Sequence, residues 1–213
     1  MNSEHDSECG EGSLDSELKQ ALALLEEVGA EDIDHPRGSL GEHLRGTYEV
    51  LGRWGCERDV CLAGLYHSVY GTDAFKTVTV SPDARDKVAA AIGEEAEKLV
   101  YTYCVLVRES LYDNLAAGGP PYAVLNRFDQ TSIPLRGADE YAKLLTIDLA
   151  NRLEQIRHSQ GSRERFAKDR RRYLAAAPLL PPKAVNELRR TRVSRAPLLA
   201  RRVARRLRRT LRS

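Results

Sequence analysis

Long apolar runs are missing from this sequence. No stretch approaches the roughly 18–20 apolar residues that a membrane-spanning helix needs, and most apolar segments are interrupted by charge at helical spacing. The amino-terminal MNSEHDSECGEG has neither a basic start nor an apolar stretch, so it does not read as a secretory signal, and a cytoplasmic location is expected. Cysteine is scarce: Cys9, Cys56, Cys61 and Cys104 contain no CxxC pair, which argues against a zinc or dithiol redox motif and leaves ordinary thiols. A Gly-rich phosphate loop, a GxGxxG motif and a nucleophile elbow are also absent.

What is present points to a soluble globular domain with its own core: 42% of residues are hydrophobic and 30% charged. The net charge of +2 hides an asymmetry. From Arg189 onward there are eleven arginines and no acid, which leaves the preceding 188 residues with nine more acids than bases. The first fifteen residues carry Glu4, Asp6, Glu8, Glu11 and Asp15 without one Lys or Arg. Three regions follow: an acidic, disordered amino terminus over 1–14, a helical domain over 15–180, and a basic tail over 181–213. In the tail, Leu199, Val203, Leu207 and Leu211 recur every four residues among arginines. A helix there would be basic and amphipathic, suited to an anionic membrane surface or to nucleic acid, and would make the protein peripheral to the membrane in the first case.

Within the body, Ser16 opens an amphipathic helix that closes near Gly29. A second helix carries Leu44, Tyr48, Leu51 and Trp54 and stops at Gly55, and ERDVCLAGLYHSVYG forms a largely buried third. KTVTV (76–80) reads as a short strand or extended segment, and Ser81-Pro82-Asp83 as a helix start. Two helices follow, DARDKVAAAIG and EEAEKLVYTYCVLVRESLYDNL. A β-hairpin is expected around Asp129-Gln130, then a long helix from Ala138 to about His158, and another over SRERFAKDRRRYLAAA. Pro178 and Pro181-Pro182 are read as the end of the body.

Three histidines, His35, His43 and His67, fall within 33 residues. A histidine on an apolar helix is usually a packed or hydrogen-bonded core residue, but imidazoles from neighbouring helices can also converge on a zinc, iron, manganese or cobalt ion. An oxygen ligand would then come from DLANRLEQ, where Asp148 and Asn151 lie three apart.

Three segments, in order, resemble the HD metal-dependent hydrolase superfamily, and within it the hydrolase domain of RelA/SpoT-type alarmone enzymes. CLAGLYHSVYGTD is similar to its AGxLHDxxED segment, RDKVAAAIGEEAEKLVYTYCVL to the helices that follow, and LLTIDLANRLEQI to its VKLADRLHNM helix. His43 precedes His67 by 24 residues, the spacing of that family's first metal histidine and its His-Asp pair. The resemblance implies an all-α, HD-domain-like helical bundle with a small β-hairpin insertion, His43 and His67 as metal ligands, and Asn151 at the last metal-binding Asp. It also places Ser68 where the metal-binding Asp stands, Gly71 and Thr72 where the family's Glu-Asp pair stands, and Gln155 at a nucleotide-contacting Asn. The stretch HPRGSLGEHLRGTY…AGLYHSVYGTDAF in addition resembles an uncharacterised family of bacterial domains of unknown function, in which HS and YGT would be a motif in their own right.

With both carboxylate positions altered, a dinuclear site is disfavoured, whereas a mononuclear site of His35, His43, His67, Asp148 and Asn151 holding Mn, Fe, Co or Zn remains open. The expected function is a divergent metal-binding protein, a hydrolase of a small anionic, phosphorylated or nucleotide-like substrate activating water on one metal. The alternative is a metal-free, non-catalytic binding protein localised by its basic tail. Tyr70, Thr72 and Arg127 are further candidates, the first two about a turn from His67 and the third as an anion clamp.

Overall fold

A computed structural model describes residues 8–35, 38–157 and 160–191, the side chains of 8–15, 35 and 160 excepted. Among them the chain is all-α with a small β insertion: nine α-helices and two short antiparallel hairpins. Helix α1 (Glu8–Glu27) packs on α4 (Arg85–Ile92), and the Tyr66 hydroxyl donates to the Ala21 carbonyl to hold it there. The hairpin β1 (Asp34–His35) and β2 (Gly38–Ser39) leads into α2 (Leu40–Trp54). Ser39 caps that helix: its hydroxyl accepts from the Glu42 amide while the Glu42 carboxylate accepts from the Ser39 amide, so two otherwise unpaired amides are satisfied at once.

Helix α2 buries Leu40, His43, Leu44, Thr47, Val50, Leu51 and Trp54, a stripe at three- and four-residue spacing, against α3 (Arg58–Tyr66) and α7 (Ala138–Ile156). After α3 the chain turns at His67–Gly71. Gly71 has φ +69, and a Cβ there would lie 3.2 and 3.3 Å from the Lys76 and Thr77 carbonyls, so the glycine of YGT lets the loop fold back. Then come α5 (Glu94–Val105), α6 (Arg108–Ala117), the hairpin β3 (Ala123–Leu125) and β4 (Ser132–Pro134), α7, α8 (Gln160–Ala175) and α9 (Pro182–Arg190).

Of the two readings of KTVTV, the strand is not formed among the described residues; the segment's end is tied to the Val69 carbonyl by the Thr79 and Val80 amides and the Thr79 hydroxyl. Three expectations change. The helix expected across 94–115 is two, because the hairpin pairs into it: the Val107 amide donates to the Leu125 carbonyl and the Arg127 amide to the Val105 carbonyl. Helix α1 begins at Glu8, inside the stretch read as disordered, with residues 1–7 outside the described ones. The body also continues past 180, since α9 buries Ala184, Val185 and Leu188 against α2 and α8. Pro181 and Pro182 start that helix, where proline's fixed φ and missing N–H cost nothing, and do not end the domain. The arginine-rich segment 192–213 lies outside the described residues.

No described helix is long and apolar enough to cross a membrane. Cys56, Cys61 and Cys104 are free thiols, with burial raising them to about 11, 12 and 12. The docking of α9 has an internal reporter, because the single tryptophan, Trp54, donates its indole N–H to Glu187 at 2.8 Å. Leu188→Ala is expected to cost about 2–5 kcal/mol and to move Trp54 emission to longer wavelength; an unfolding curve and spectrum like those of the parent protein would contradict the packing.

Candidate functional site

A cavity of about 510 Å3 lies among α2, the turn after α3, and helices α6, α7 and α8. His43 from the first turns of α2 and His67 from the end of α3 meet on its wall, both buried, with their Nε2 atoms 3.3 Å apart and rings edge-to-face. His43 Nδ1 pairs with the Glu154 carboxylate, and His67 Nδ1 donates to the Gly64 carbonyl at 2.8 Å. Neither a carboxylate nor a carbonyl can donate, so both Nδ1 atoms carry hydrogen. Two neutral rings would then aim lone pairs at each other, an opposition relieved by a cation held by both rings or by one proton shared along Glu154, His43 and His67, which puts an N–H on His43 Nε2 to donate to His67 Nε2. Gly46 makes room for this arrangement, since a Cβ there would approach Glu154 Oε1 to 3.0 Å.

Asp148 is fully buried and already committed. Its oxygens accept from the hydroxyls of Tyr103 at 2.8 Å and Tyr112 at 2.6 Å, and from Tyr173, and Arg108 Nε stands 3.1 Å away. Burial alone would raise this carboxyl, but Arg108, Arg152 and the tyrosine hydroxyls outweigh it and hold the group below its ordinary value. Recruiting Asp148 to a metal would leave a buried guanidinium without its counter-charge, which costs several kcal/mol. It is therefore a poor ligand, and the expected role is corrected to that of a structural anion. Asn151 is closer to the histidines in function: it lines the cavity, donates to Tyr103 at 3.0 Å, and accepts from Gln155 at 2.7 Å.

The remaining candidates separate cleanly. Thr72 lines the cavity, with its hydroxyl accepting from the Phe75 amide. Tyr70 does not line it; its hydroxyl donates to Glu97, which also pairs with Arg85. Arg127 is not an anion clamp but a brace, donating to the carbonyls of Cys104, Tyr70 and Gly71 and stacking over Phe128. His35 is the last residue of β1, and its side chain lies outside the described ones. Among the described residues no group of three or more His, Cys, Asp or Glu side chains is placed to hold a metal ion.

Sequence reasoning missed Glu154 and three arginines. Glu154 follows Asn151 by three residues, so helical spacing could have found it. Arg108, Arg152 and Arg165 come from α6, α7 and α8 and share no sequence signal, yet all three line the cavity, and among the described residues no carboxylate does. Asp148 backs Arg108, and Asp169 accepts from Arg152 Nη2 at 3.2 Å, whereas Arg165 is exposed and donates to Ser162. The cavity also gathers the amino-terminal turns of α2 (Leu40, His43), α6 (Arg108) and α8 (Ser162), whose dipoles favour negative charge by about 0.3–1 kcal/mol each. Two helix ends of opposite sign, that of α3 at His67 and that of α7 at Gln155, stand against them.

Burial, and then the neighbouring His43, lower the His67 pKa from its ordinary 6.5 to about 3. Between those values the unfolded chain binds a proton that the folded chain refuses, so acid favours unfolding. Stability is expected to fall by on the order of 1 kcal/mol per pH unit as pH drops from 6.5 toward 3. Denaturant titrations should show a shallower fall for His67→Gln; identical slopes would contradict a neutral, buried His67.

No curated protein and no solved structure matches the chain. Residues 24–108, from α1 to the first residue of α6, match the family model of a domain of unknown function (DUF6817); the matched segment includes both site histidines and stops short of Asn151 and Glu154 on α7.

Proposed function

We propose that the protein binds a small anionic, phosphate-bearing molecule in the cavity over the His43–His67 pair. The observation that carries this reading is the lining itself: among the described residues it has three guanidiniums, three helix amino-terminal turns against two carboxyl-terminal ones, and no carboxylate. Arginine's planar fork suits phosphate oxygens, and helix amino termini stabilise the same charge. About 510 Å3 exceeds what a bare phosphate needs and falls in the range of small-molecule sites. Leu40, Ala74 and Phe75 give one part of the wall an apolar surface for the remainder of the ligand.

A second reading, mononuclear metal binding and with it an HD-like hydrolase, is favoured by the imidazole geometry. Two nitrogens bound to one tetrahedral ion at 2.0–2.1 Å stand about 3.3 Å apart, and the Nε2 atoms are 3.3 Å apart. Each ring also donates its other N–H to a carboxylate or carbonyl, the arrangement that orients metal-bound imidazoles. His43 and His67 would hold the ion, with Ser68 and Asn151 as neutral oxygens nearby, and it would supply positive charge to polarise a phosphoryl group or a water. The residues' own part is then to bind and orient: Arg165 at the mouth draws in the anion, and Glu154 fixes the His43 ring.

The two readings are tested separately. Inorganic phosphate at tens of millimolar is expected to raise the melting temperature when sodium chloride of equal ionic strength does not, and Arg165→Gln should weaken the effect several-fold. An equal response to both salts would overturn the anion reading. For the metal, dialysis against cobalt(II) should leave one equivalent per chain, and none in His43→Ala or His67→Ala; retention by those variants would overturn it.

A further inference from the structure

Among the described residues three buried side-chain polar atoms have no hydrogen-bond partner: Ser68 Oγ, Arg152 Nε and Arg170 Nε. Two of the three residues, Ser68 and Arg152, line the same cavity. Buried polar groups in folded proteins are nearly always paired, so an unpaired one marks a place where something else completes the structure. Ser68 is 3% exposed and sits in the turn just after α3. A serine there commonly donates back to the carbonyl four residues earlier. That carbonyl is Gly64's, and it accepts from His67 Nδ1 instead. Arg152 is held by Asp169 through Nη2, which leaves its Nε–H unused.

We propose that Ser68 Oγ and Arg152 Nε are the donors of an oxyanion subsite that takes the phosphoryl group of a phosphomonoester. The assignment rests on the anion reading of the cavity and narrows it to a ligand class and a contact. An Nε–H can only donate, and a hydroxyl can donate, so the group that satisfies both is an acceptor. A phosphoryl oxygen accepts from several donors at once and carries the charge that the arginines and helix ends favour. The ester's organic part then lies along Leu40, Ala74 and Phe75, and Arg165 meets a second phosphoryl oxygen at the mouth. His43 and His67 are left beside the subsite, with Ser68 adjoining His67 in the chain.

Phenyl phosphate is a suitable probe, since it joins a phosphoryl group to an apolar ring. By titration calorimetry on the full chain it is expected to bind more tightly than inorganic phosphate. Ser68→Ala should weaken it about tenfold, the usual loss of one hydrogen bond to a charged group, and Ser68→Asp should abolish it by placing like charge in the subsite. The melting temperature of ligand-free Ser68→Ala should equal or exceed that of the parent, because the hydroxyl removed had no partner in the protein. Unchanged affinity in Ser68→Ala, or a ligand-free melting temperature lowered by several degrees, overturns the assignment. If Arg165→Gln weakens binding while Ser68→Ala does not, the cavity binds anions but not through Ser68. If the parent protein binds neither probe, the anion reading falls and this assignment with it.

Discussion

The centre of this protein depends on a buried polar stripe along one helix. Asp148, Asn151 and Glu154 recur every three residues on α7, and each is 6% exposed or less. Burying such groups is affordable only where every one is matched, and the partners come from four other helices. Tyr103 on α5, Arg108 and Tyr112 on α6, and Tyr173 on α8 converge on Asp148, while His43 on α2 answers Glu154. Tyr103 links two members, donating to Asp148 and accepting from Asn151 and Arg108. The same contacts that fix the helices therefore fix the cavity wall, and the positions of Arg108 and the two histidines follow from how α7 is satisfied.

That coupling explains which parts could be read from residues alone. Long helices with regular apolar stripes, such as α2 and α7, and the hairpin around Asp129-Gln130 are local in origin, and the structure has them where the sequence patterns put them. The 24-residue interval between His43 and His67 likewise leads to a real meeting of side chains. The misses are tertiary. Nothing in LVYTYCVLVRESL breaks a helix; the break at Leu106–Val107 exists because the hairpin's backbone pairs there. The prolines near 180 carry two meanings, and only the apolar face of α9 decides that they begin a helix. Tyr70 and Arg127 have the chemistry of site residues, but their polar atoms are used up in bracing the turn after α3.

The site itself was half legible. Its histidines and Asn151 lie in recognisable segments, while the arginines that give it its charge are scattered over three helices and only the fold assembles them. The resemblance to HD hydrolases points at the cavity that His43 and His67 share, and the lining there differs from that family's carboxylate ligand set. At the position of a metal-binding carboxylate stands Ser68, a group that can donate to an anion; of the two buried carboxylates behind the wall, Glu154 is paired with His43, and Asp148 is matched by Arg108 and three tyrosine hydroxyls. A donor in place of an acceptor, in a wall that also carries three guanidiniums, is the ground for proposing an anion and not a cation as the ligand.

The most direct measurement is a crystal structure of the protein grown with tungstate, whose heavy atom locates a tetrahedral oxyanion by its anomalous signal. The account predicts one tungstate in the cavity, with oxygens within hydrogen-bond distance of Ser68 Oγ and Arg152 Nε. A cavity holding only water, with Ser68 bonded to it and tungstate confined to other surfaces, would contradict the claim that this is an anion site.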